Sequence, residues 1–523
     1  MSDIKRSGKG YRFDINGWNY VHIEGKPYER GKSYGQLCTD LIEKEVSNMK
    51  HNCFEDTGRK WDFFLAASNR YFLPPTKKNY PEQLQEMKGI ADGCTAAGFK
   101  ITTEEVVLWN NVMGVIEYWY PNIYLTDPSK EPVSMAMPRR SFRRMGGGAL
   151  GRCSAFVAVG EGVTKDGKIV MAHNTFDNFT SGQGCHMILS VKPTKGYNIL
   201  MQTTPGWVWS GADFFVTSAG IMGTETTIGG FLPFKNGNPC SARIRKAMQY
   251  GKDFAFYEKC LLDGNTGGYA NSWLFGDINK NTIHRIELGL QYHLSESKSS
   301  GYFIGFNGTY DPRIRNLECK NQGFFDIRRH EGARHVRLTQ LMEFHKGKLD
   351  VGAGKKILAD HYDVYEGRVN PCSRTVDSHY ELDNRAYMSQ ADRPKPFQPR
   401  GALDGKVVDT AMTKAMSFWG IWGNSSGMPF DPVKFCNANI QWMSKLPYLA
   451  ARPSQPWTSF SLDQGTAGKS KTTPNAYQSW QRDGTRSLGR STIHGTRKAK
   501  TSAARSQSGG KRTRRRKRRR SGC

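Results

Sequence analysis

The sequence predicts an α+β fold in which helices cover a sandwich of β-sheets, and three regional patterns along the chain predict it. Residues 1–152 show mainly helical periodicity and form a predicted lead segment. Residues 153–450 alternate short strands with helices and form a predicted core. Residues 451–523 are poor in aliphatic side chains and rich in Ser, Thr, Gly and Lys, which predicts a disordered tail.

The lead segment contains one predicted strand, at residues 11–24, and three predicted helices. The first helix has an apolar face formed by Leu37, Leu41, Ile42 and Met49. The second spans residues 81–97, with Pro81 in its first turn and Gly98 as its stop. Thr102 and Glu105 form a capping box that starts the third.

Short strands and helices alternate in the core. The apolar runs that predict strands are residues 187–191, 198–201, 214–217, 220–226, 271–276, 282–288 and 302–306. Residues 241–262 and 324–365 have helical patterns, and residues 366–405 are rich in loop-forming side chains. Residues 406–422 mix strand and helix character.

The stretch from residue 151 to 178 predicts a β-hairpin with a reactive pair. Apolar runs at 155–159 and 169–172 are joined by a connection that contains Asp166-Gly167, a favourable turn dipeptide. Cys153 stands just before the first run and His173 just after the second. The hairpin therefore brings a thiol and an imidazole close together.

The residues before Cys153 suggest that the chain cleaves itself. Residues 145–152 include four glycines, so this loop is flexible and easily distorted by chemistry. Cleavage between Arg152 and Cys153 would give Cys153 a free α-amine, which titrates near neutrality and can act as the base for its own thiol. The alternative is that Cys153 is a buried core residue, as cysteines commonly are.

The positive charge of the chain is concentrated in the tail. The net charge is +28, of which residues 451–523 supply +17, and nine of the ten residues from Lys511 to Arg520 are basic. Such a tail can neutralise nucleic-acid phosphates without recognising sequence. A nuclear-import patch and a solvated solubility tail are the alternatives.

Several classes of protein are disfavoured by what the sequence lacks. Residues 1–10 have no apolar core typical of a secretory signal, and no run approaches membrane-spanning length, which predicts a cytoplasmic, nuclear or virion-like protein. Eleven scattered cysteines favour reduced thiols over a disulfide framework. No Cys-x-x-Cys or His-x-x-x-His pair occurs, so no zinc site and no cofactor are predicted. The sequence leaves the oligomeric state open.

Five short sequence motifs follow one another along the core. They are Cys153-Ser154-Ala155 with Ala172-His173; Ser210-Gly-Ala-Asp213-Phe214-Phe215; Thr224-Glu225-Thr226-Thr227; Gly268-Tyr269-Ala270-Asn271-Ser272-Trp273; and Cys372-Ser373-Arg374 with Gly401-Ala402-Leu403-Asp404-Gly405-Lys406. In this order they resemble the phospholipase B-like family of cysteine N-terminal nucleophile (Ntn) hydrolases. The lead segment, with Glu29-Arg30-Gly31 and Gly89-Ile90-Ala91-Asp92-Gly93, is also similar to acyl-coenzyme A:6-aminopenicillanate acyltransferase-like proteins.

The resemblance implies a four-layer αββα sandwich and a set of catalytic residues. Cys153 is the implied nucleophile, exposed by cleavage after Arg152, and His173 matches the histidine of the family site. Asn271 matches the amide that stabilises the oxyanion, a role worth about 3 kcal/mol in comparable sites. Without the resemblance, His173 would be interpreted as a hydrogen-bonded histidine at a strand end and Asn271 as a turn residue.

The resemblance also implies three substrate-binding residues. Thr226 matches a pocket-lining position, although a β-branched residue is otherwise an ordinary strand former. Asp177 is expected to hold the Cys153 amine or a substrate group. Arg374 is expected to be either a carboxylate clamp or a structural residue.

The implied activity is hydrolysis of amide or ester bonds in small acyl or lipid-like substrates through a Cys153 thioester. Two alternatives remain open. One is acyl transfer of the penicillin acyltransferase type. The other is an inactive, nucleic-acid-associated or packaging protein that uses the basic tail.

Overall fold

The computed structural model describes residues 3–124, 152–320, 323–384 and 396–483. The strands in chain order are β1 (Lys5–Ser7), β2 (Gly10–Ile15), β3 (Trp18–Gly25), β4 (Cys153–Val159), β5 (Val170–Asn178), β6 (Met187–Pro193), β7 (Ile199–Thr203), β8 (Phe214–Thr217), β9 (Ile221–Thr227), β10 (Asn271–Asp277), β11 (Thr282–Leu288), β12 (His293–Lys298), β13 (Gly301–Gly305), β14 (Tyr362–Asp363), β15 (Arg368–Val369), β16 (Arg400–Ala402), β17 (Asp404–Asp409), β18 (Ser417–Trp422), β19 (Trp457–Ser461) and β20 (Thr472–Thr473).

The α-helices are α1 (Pro27–Thr57), α2 (Trp61–Tyr71), α3 (Leu73–Asn79), α4 (Pro81–Ala96), α5 (Thr103–Asn110), α6 (Phe179–Gly182), α7 (Cys240–Tyr250), α8 (Phe254–Leu262), α9 (His330–Phe344), α10 (Val351–Leu358), α11 (Thr410–Lys414), α12 (Pro432–Ala438) and α13 (Ala476–Asp483). Two π-helices span Gly114–Tyr124 and Ile314–Glu318. Short 3₁₀ helices span Gln183–Cys185, Tyr380–Leu382, Ile440–Tyr448 and Ala467–Lys469. The predicted mixture of helices and sheets is confirmed.

Most of the strands lie in two large sheets. The first has the order β1-β2-β3-β6-β7-β8-β9-β10-β11-β12, and the second has the order β13-β4-β5-β17-β18-β19-β20, with β16 also paired to β5. Strand β3 pairs in parallel with β6, so the lead segment contributes strands to the same sheet as the core. Strand β5 lies between β4 and β17, which places the predicted hairpin inside the second sheet.

Three apolar clusters hold these elements together. One joins the first sheet to the helices of the lead segment and to α7 and α8, through residues such as Met187 and Trp273. The second joins the facing sides of the two sheets, through residues such as Phe214 and Val157. The third joins the second sheet to α9 and α10, through residues such as Ala172. Each sheet therefore buries both faces, which is why central strands such as β4, β9 and β10 are buried along their whole length rather than on alternate residues.

Helices α1 and α4 pack with their backbones in contact. A Cβ atom at Gly31 would lie 2.1 Å from the backbone oxygen of Glu86, and one at Gly89 would lie 2.2 Å from that of Tyr28. The buried Arg30 donates two hydrogen bonds to one Glu86 oxygen, at 2.9 and 2.6 Å. The two helix backbones lie so close together that only glycine fits at Gly31 and Gly89. This explains the glycines of the Glu29-Arg30-Gly31 motif and of the Gly-x-x-x-Gly motif that begins at Gly89.

The capping box predicted for the third helix is present in α5. Glu105 N–H donates to Thr102 Oγ1 at 3.2 Å, and Thr102 N–H donates to Glu105 Oε2 at 3.1 Å. The single strand predicted at 11–24 is wrong, because it is a hairpin of β2 and β3. Asn16 and Gly17 form its turn with φ of 49° and 81°, and Asn-Gly is a strong signal for such a turn.

The predicted start of the disordered tail is also wrong. Strand β19 pairs with β18, and its Trp457 and Phe460 are buried against the second sheet. Disorder was predicted because this segment has few aliphatic residues, but a few buried aromatic side chains pack it onto the sheet instead. The basic run from Lys511 to Arg520 lies outside the described residues. Among the described residues, none of the helices combines the length and apolarity needed to cross a lipid bilayer.

Candidate active site

Cys153 is the first residue of β4 and is fully buried. The predicted hairpin is confirmed, since β4 and β5 pair antiparallel. The direct partner of Cys153 across the ladder is Thr175, whereas His173 pairs with Ala155. Partners in an antiparallel ladder point to the same face, so Cys153 and His173 are diagonal neighbours on one face of the sheet. Ala155 belongs to the cluster between the sheets, so this face points toward the first sheet.

The peptide bond before Cys153 is held by hydrogen bonds on both sides. The Arg152 carbonyl oxygen accepts from the backbone N–H of Phe176. The Cys153 N–H donates to Asn307 Oδ1 at 3.3 Å. The Cys153 carbonyl oxygen accepts from Arg334. This peptide is therefore fixed in position, and its carbonyl already has a donor on the oxygen.

Asn307 and Arg334 come from different elements and meet at this peptide. Asn307 follows β13 with a left-handed φ of 68°, and its Nδ2 donates to the Thr227 carbonyl at 2.7 Å. Arg334 lies on α9, is fully buried, and donates from Nη2 to Asn307 Oδ1 at 2.6 Å. Since Asn307 Oδ1 accepts from both Arg334 and Cys153, it ties the start of β4 to β9 and α9.

Two buried carboxyl groups lie beside the thiol. Ligand atoms of Cys153, Asp213 and Glu225 all lie within 4.8 Å of one another. The Tyr269 hydroxyl contacts Asp213 Oδ2 at 2.6 Å and Glu225 Oε1 at 2.7 Å. One hydroxyl proton can be donated to only one carboxylate, so the other contact requires a carboxyl proton.

Burial controls the protonation of this group. Burial raises the pKa of Asp213 to about 6. Burial, followed by the neighbouring Asp213, raises the pKa of Glu225 well above its usual range. Burial also raises the pKa of the Cys153 thiol, to which Glu225 and Asp213 add, while Lys406 opposes the shift. The thiol is therefore neutral in the uncleaved chain and has carboxyl groups nearby that can exchange a proton with it.

Lys406 supplies positive charge on the same face of the second sheet. Its Nζ donates to Asp404 Oδ1 at 2.5 Å and to Thr175 Oγ1 at 2.7 Å, and Lys406 and Asp404 have fully buried side chains. Gln202 donates to the second Asp404 oxygen at 2.7 Å. Thr175 is the ladder partner of Cys153, so the buried ion pair contacts the residue that lies directly opposite Cys153 in the sheet.

His173 is buried as a neutral imidazole. It pairs with Lys406 in the ladder and stacks on Phe214, with ring centroids 6.5 Å apart. Burial, and then the positive charge of Lys406, lower the pKa of His173 well below its usual range, and the backbone of Glu225 opposes this shift. Neither ring nitrogen makes a hydrogen bond of good geometry within the described part of the chain. The structure therefore places His173 near the thiol but not hydrogen-bonded to it.

Asn271 and Thr226 lie next to the residues that hold Cys153. Asn271 pairs in the ladder with Thr227, and the Thr227 carbonyl accepts the hydrogen bond from the Asn307 side-chain amide. Both polar atoms of the Asn271 amide are buried without a hydrogen bond to any described residue. Thr226 packs against Gly305, where an added Cβ would lie 2.5 Å from Thr226 Cγ2. Gly305 in turn pairs with Ala155, two residues after Cys153.

The two predicted charged substrate residues have intramolecular partners. Arg152 donates to Asp177 Oδ2 at 2.5 Å and to the carboxylate of Glu117. Asp177 therefore holds the residue on the amino side of the predicted cleavage site. Arg374 donates to both oxygens of Asp363, at 3.1 and 2.5 Å, and both side chains are fully buried. The contacts of Arg374 favour its structural alternative.

Sequence reasoning did not assign roles to six residues that contact or surround Cys153: Asp213, Glu225, Tyr269, Asn307, Arg334 and Lys406. Glu225 and Lys406 are charged residues inside buried strands, and such residues require a partner or a function. That signal could have identified these two. Asn307 and Arg334 lie in a loop and a helix far along the chain, and only the fold brings them to Cys153.

No family model matches the chain. The chain is 26% identical over 283 residues to an uncharacterized protein from Archaeoglobus fulgidus, covering 53% of this chain and 44% of that protein. It is 22% identical over 347 residues to putative phospholipase B-like 2 from Rattus norvegicus, covering 57% of this chain and 56% of that protein. The chain thus spans about half the length of these two curated relatives.

Two solved structures are similar to parts of the chain, both at 11% identity. The match to a mutant form of conjugated bile acid hydrolase from Clostridium perfringens covers 51% of this chain and 89% of the hydrolase chain, with a TM-score of 0.30. Penicillin V acylase from Agrobacterium tumefaciens covers 52% of this chain and 83% of its own, with a TM-score of 0.32.

Proposed function

We propose that this chain is the precursor of a cysteine Ntn hydrolase of the phospholipase B-like type. It cleaves its own Arg152–Cys153 bond and then hydrolyses amide or ester bonds of acyl substrates. One observation carries this proposal: the carbonyl that precedes the buried Cys153 accepts a hydrogen bond from the Phe176 N–H, while the Cys153 N–H is held by Asn307. A donor on the carbonyl oxygen is what an attacking thiol requires, because the oxygen becomes negative in the transition state.

The proposed self-cleavage is an N-to-S acyl shift followed by hydrolysis. Cys153 Sγ attacks the Arg152 carbonyl carbon, and the thiol proton passes to a base. The C–N bond breaks, the Cys153 nitrogen takes up a proton, and a thioester joins Arg152 to Sγ. Water then adds to the thioester and expels the thiol. The products are an Arg152 carboxylate and a Cys153 with a free α-amine.

The Asp213 and Glu225 pair is the proposed base for the first step. One oxygen of each carboxyl group lies within 4.8 Å of Cys153 Sγ, and burial raises the pKa of Asp213 to about 6. A base with such a pKa accepts a proton more readily than an ordinary carboxylate and is still largely ionised at neutral pH. His173 is neutral and makes no hydrogen bond to the thiol, so its proposed contribution is to shape the site.

In the proposed mature enzyme, the new α-amine replaces the peptide N–H that contacted Asn307. The amine takes the thiol proton, and the thiolate attacks the substrate carbonyl to form an acyl-enzyme thioester. The Phe176 N–H is then free of the Arg152 carbonyl and, together with the Asn271 amide, is the proposed oxyanion site. Water releases the acid and restores the thiol and the amine.

Three further observations support the class. The helix–sheet–sheet–helix order of the three apolar clusters matches the αββα layering expected of an Ntn hydrolase. Cys153 is the first residue of an interior strand, where a new amino terminus can form without disrupting the ladder. The similarity to putative phospholipase B-like 2 favours an acyl ester or amide substrate. The proposals that the substrate carries a lipid-like acyl chain, or that the acyl group is transferred to an amine acceptor, rest on the sequence resemblance alone.

Gel mobility and amino-terminal sequencing of the purified full chain test the proposal. The parent is expected to give two fragments, the larger beginning at Cys153, whereas Cys153→Ala stays intact. Cys185→Ala is the matched control, because Cys185 is also a buried thiol, 3.5 Å from Thr204 Oγ1, but does not follow the Arg152 carbonyl that is the proposed point of attack. An intact parent with esterase or amidase activity would refute the self-cleavage mechanism.

A further inference from the structure

A second group of polar side chains lies outside the Cys153 site. It consists of His361, which follows α10, and Asp377 and His379, which lie in the loop after β15. His361 Nε2 lies 3.1 Å from Asp377 Oδ2 and 3.1 Å from His379 Nε2. His379 Nε2 lies 3.5 Å from Asp377 Oδ2. Three atoms that can bind a metal ion thus form a nearly equilateral triangle.

The surroundings of the triangle orient these atoms. His379 Nδ1 lies 2.8 Å from Glu381 Oε1. With the Nδ1 proton donated to this carboxylate, loss of the Nε2 proton on metal binding would leave a lone pair that faces the triangle. Asp377 Oδ2 also accepts from Ser426 N–H at 3.0 Å. A carboxylate behind a histidine is the arrangement that commonly supports metal-bound imidazole.

We propose that His361, Asp377 and His379 bind one divalent transition-metal ion, with zinc the best-fitting candidate, and that Glu381 positions His379. Two ligand atoms that are each about 2.1 Å from a tetrahedral zinc ion lie about 3.4 Å apart, which agrees with the 3.1–3.5 Å sides of the triangle. Two imidazoles with one carboxylate form a donor set that suits zinc and iron more than magnesium or calcium.

The three proposed ligands differ in exposure. Asp377 and His379 have side chains that are 0% and 2% exposed, whereas the side chain of His361 is 12% exposed. A metal ion on the triangle would have three protein ligands and a fourth position that water can reach beside His361.

The position of the group in the fold determines which parts of the chain a bound ion would hold in place. His379 forms an isolated bridge with Gly401, and Gly401 pairs with Asp177 in β5. On the other side, Asp377 accepts from Ser425 N–H at 3.4 Å, and Ser425 Oγ donates to Asn174 Oδ1 at 2.5 Å. A metal ion would therefore fix the 361–381 segment at the point where these contacts join it to β5, the strand that carries the ladder partner of Cys153.

The full-length chain with Cys153→Ala tests the proposal with zinc alone. This background keeps one intact chain and removes the thiol of the other possible ligand group, formed by Cys153, Asp213 and Glu225. After treatment with a chelator and addition of zinc, elemental analysis after gel filtration is expected to find one zinc per chain. We expect zinc to raise Tm by about 2–5 °C.

Substitutions locate the zinc. His379→Ala is expected to lose both the retained zinc and the Tm shift, whereas His293→Ala, a control at an exposed histidine beside Glu258, is expected to keep both. If His379→Ala does not fold, Glu381→Gln decides, since it is expected to weaken zinc affinity at least about tenfold while the chain stays folded.

Cobalt(II) identifies the ligand atoms. A cobalt complex with nitrogen and oxygen ligands shows visible d–d bands without a thiolate charge-transfer band, which is the expected result. A strong thiolate band would place the metal on cysteines and overturn the proposal. Failure of the Cys153→Ala chain to retain zinc would also overturn it and would leave the triangle as a hydrogen-bonded imidazole pair.

Discussion

The backbone N–H of Phe176 donates a hydrogen bond to the carbonyl oxygen of Arg152, the residue before Cys153. This contact joins the end of the lead segment to the strand paired with β4, and it continues the register of that ladder one pair beyond Cys153 and Thr175. In the uncleaved chain it polarises the carbonyl. Cleavage would release the donor, so the same N–H can serve first the precursor and then a substrate.

We predict that Asn307→Ala slows self-cleavage and destabilises the chain by about 1–3 kcal/mol, because Arg334 and the Cys153 N–H lose a shared buried acceptor. Gel densitometry over time measures the cleavage, and urea denaturation in the Cys153→Ala background measures the stability. Asn307→Asp keeps an acceptor and is the matched control, so we expect it to cleave faster than Asn307→Ala. Equal cleavage rates in both variants and the parent would contradict the assigned role.

We predict that the free energy of unfolding falls as pH rises from about 4 through about 6, because of Asp213. Its folded-state pKa of about 6 is above the ordinary value of 3.8, so the folded state holds a proton that the unfolded state has already released. This stabilising contribution is complete below pH 4 and is lost as pH rises through the folded pKa. Urea denaturation of Cys153→Ala between pH 4 and pH 8 measures the slope.

Glu225→Gln is expected to flatten this pH dependence, since it removes a second carboxyl group whose folded-state pKa is also raised, by burial and then by the neighbouring Asp213. At pH 8 the variant is expected to be more stable than its parent by about 1–3 kcal/mol, in the same Cys153→Ala background. If Glu225 is part of the base, the same substitution in the active chain also slows cleavage. An unchanged pH slope would show that this carboxyl does not titrate with Asp213.

We predict that Lys406→Met destabilises the Cys153→Ala chain by about 3–5 kcal/mol, because it leaves the fully buried Asp404 without its cation. Lys406→Met combined with Asp404→Asn removes both charges and is expected to recover part of that loss. Thermal denaturation of the two single variants and the double variant measures the coupling. Additive effects would indicate that the two side chains act independently.

We predict that deletion of residues 486–523 leaves a folded chain that still cleaves itself, whereas deletion of 455–523 does not fold. The longer deletion removes β19 with the buried Trp457 and Phe460, at a cost of several kcal/mol, about 3–5 for each large aromatic side chain. The shorter deletion removes 15 basic and no acidic residues. It is therefore expected to lower the salt concentration that elutes the protein from a heparin column. Unchanged elution would exclude the tail as a polyanion-binding segment.

Local sequence was sufficient wherever the signal and the structure are both local. The capping box of Thr102 and Glu105 and the hairpin that carries Cys153 were predictable, because each depends on residues close together in the chain. The turn between β2 and β3 could also have been predicted from the Asn16-Gly17 dipeptide, but the alternating apolar and polar residues on both sides of it suggested one continuous strand. The tail boundary was missed because aromatic contacts with β18 replace an aliphatic pattern.

The residue pattern alone predicted the mixture of helices and sheets, the hairpin that follows Cys153 and the glycine-rich stretch before it, whereas the start of β4 at Cys153 itself came from the structure. The surroundings of the thiol depend on the fold, because Asn307, Arg334 and Lys406 reach Cys153 or its ladder partner through strand pairing and helix packing over more than 150 residues. The same reason explains why no metal site was expected: His361 and His379 are 18 residues apart and share no local motif, and the loop geometry alone brings their nitrogens together.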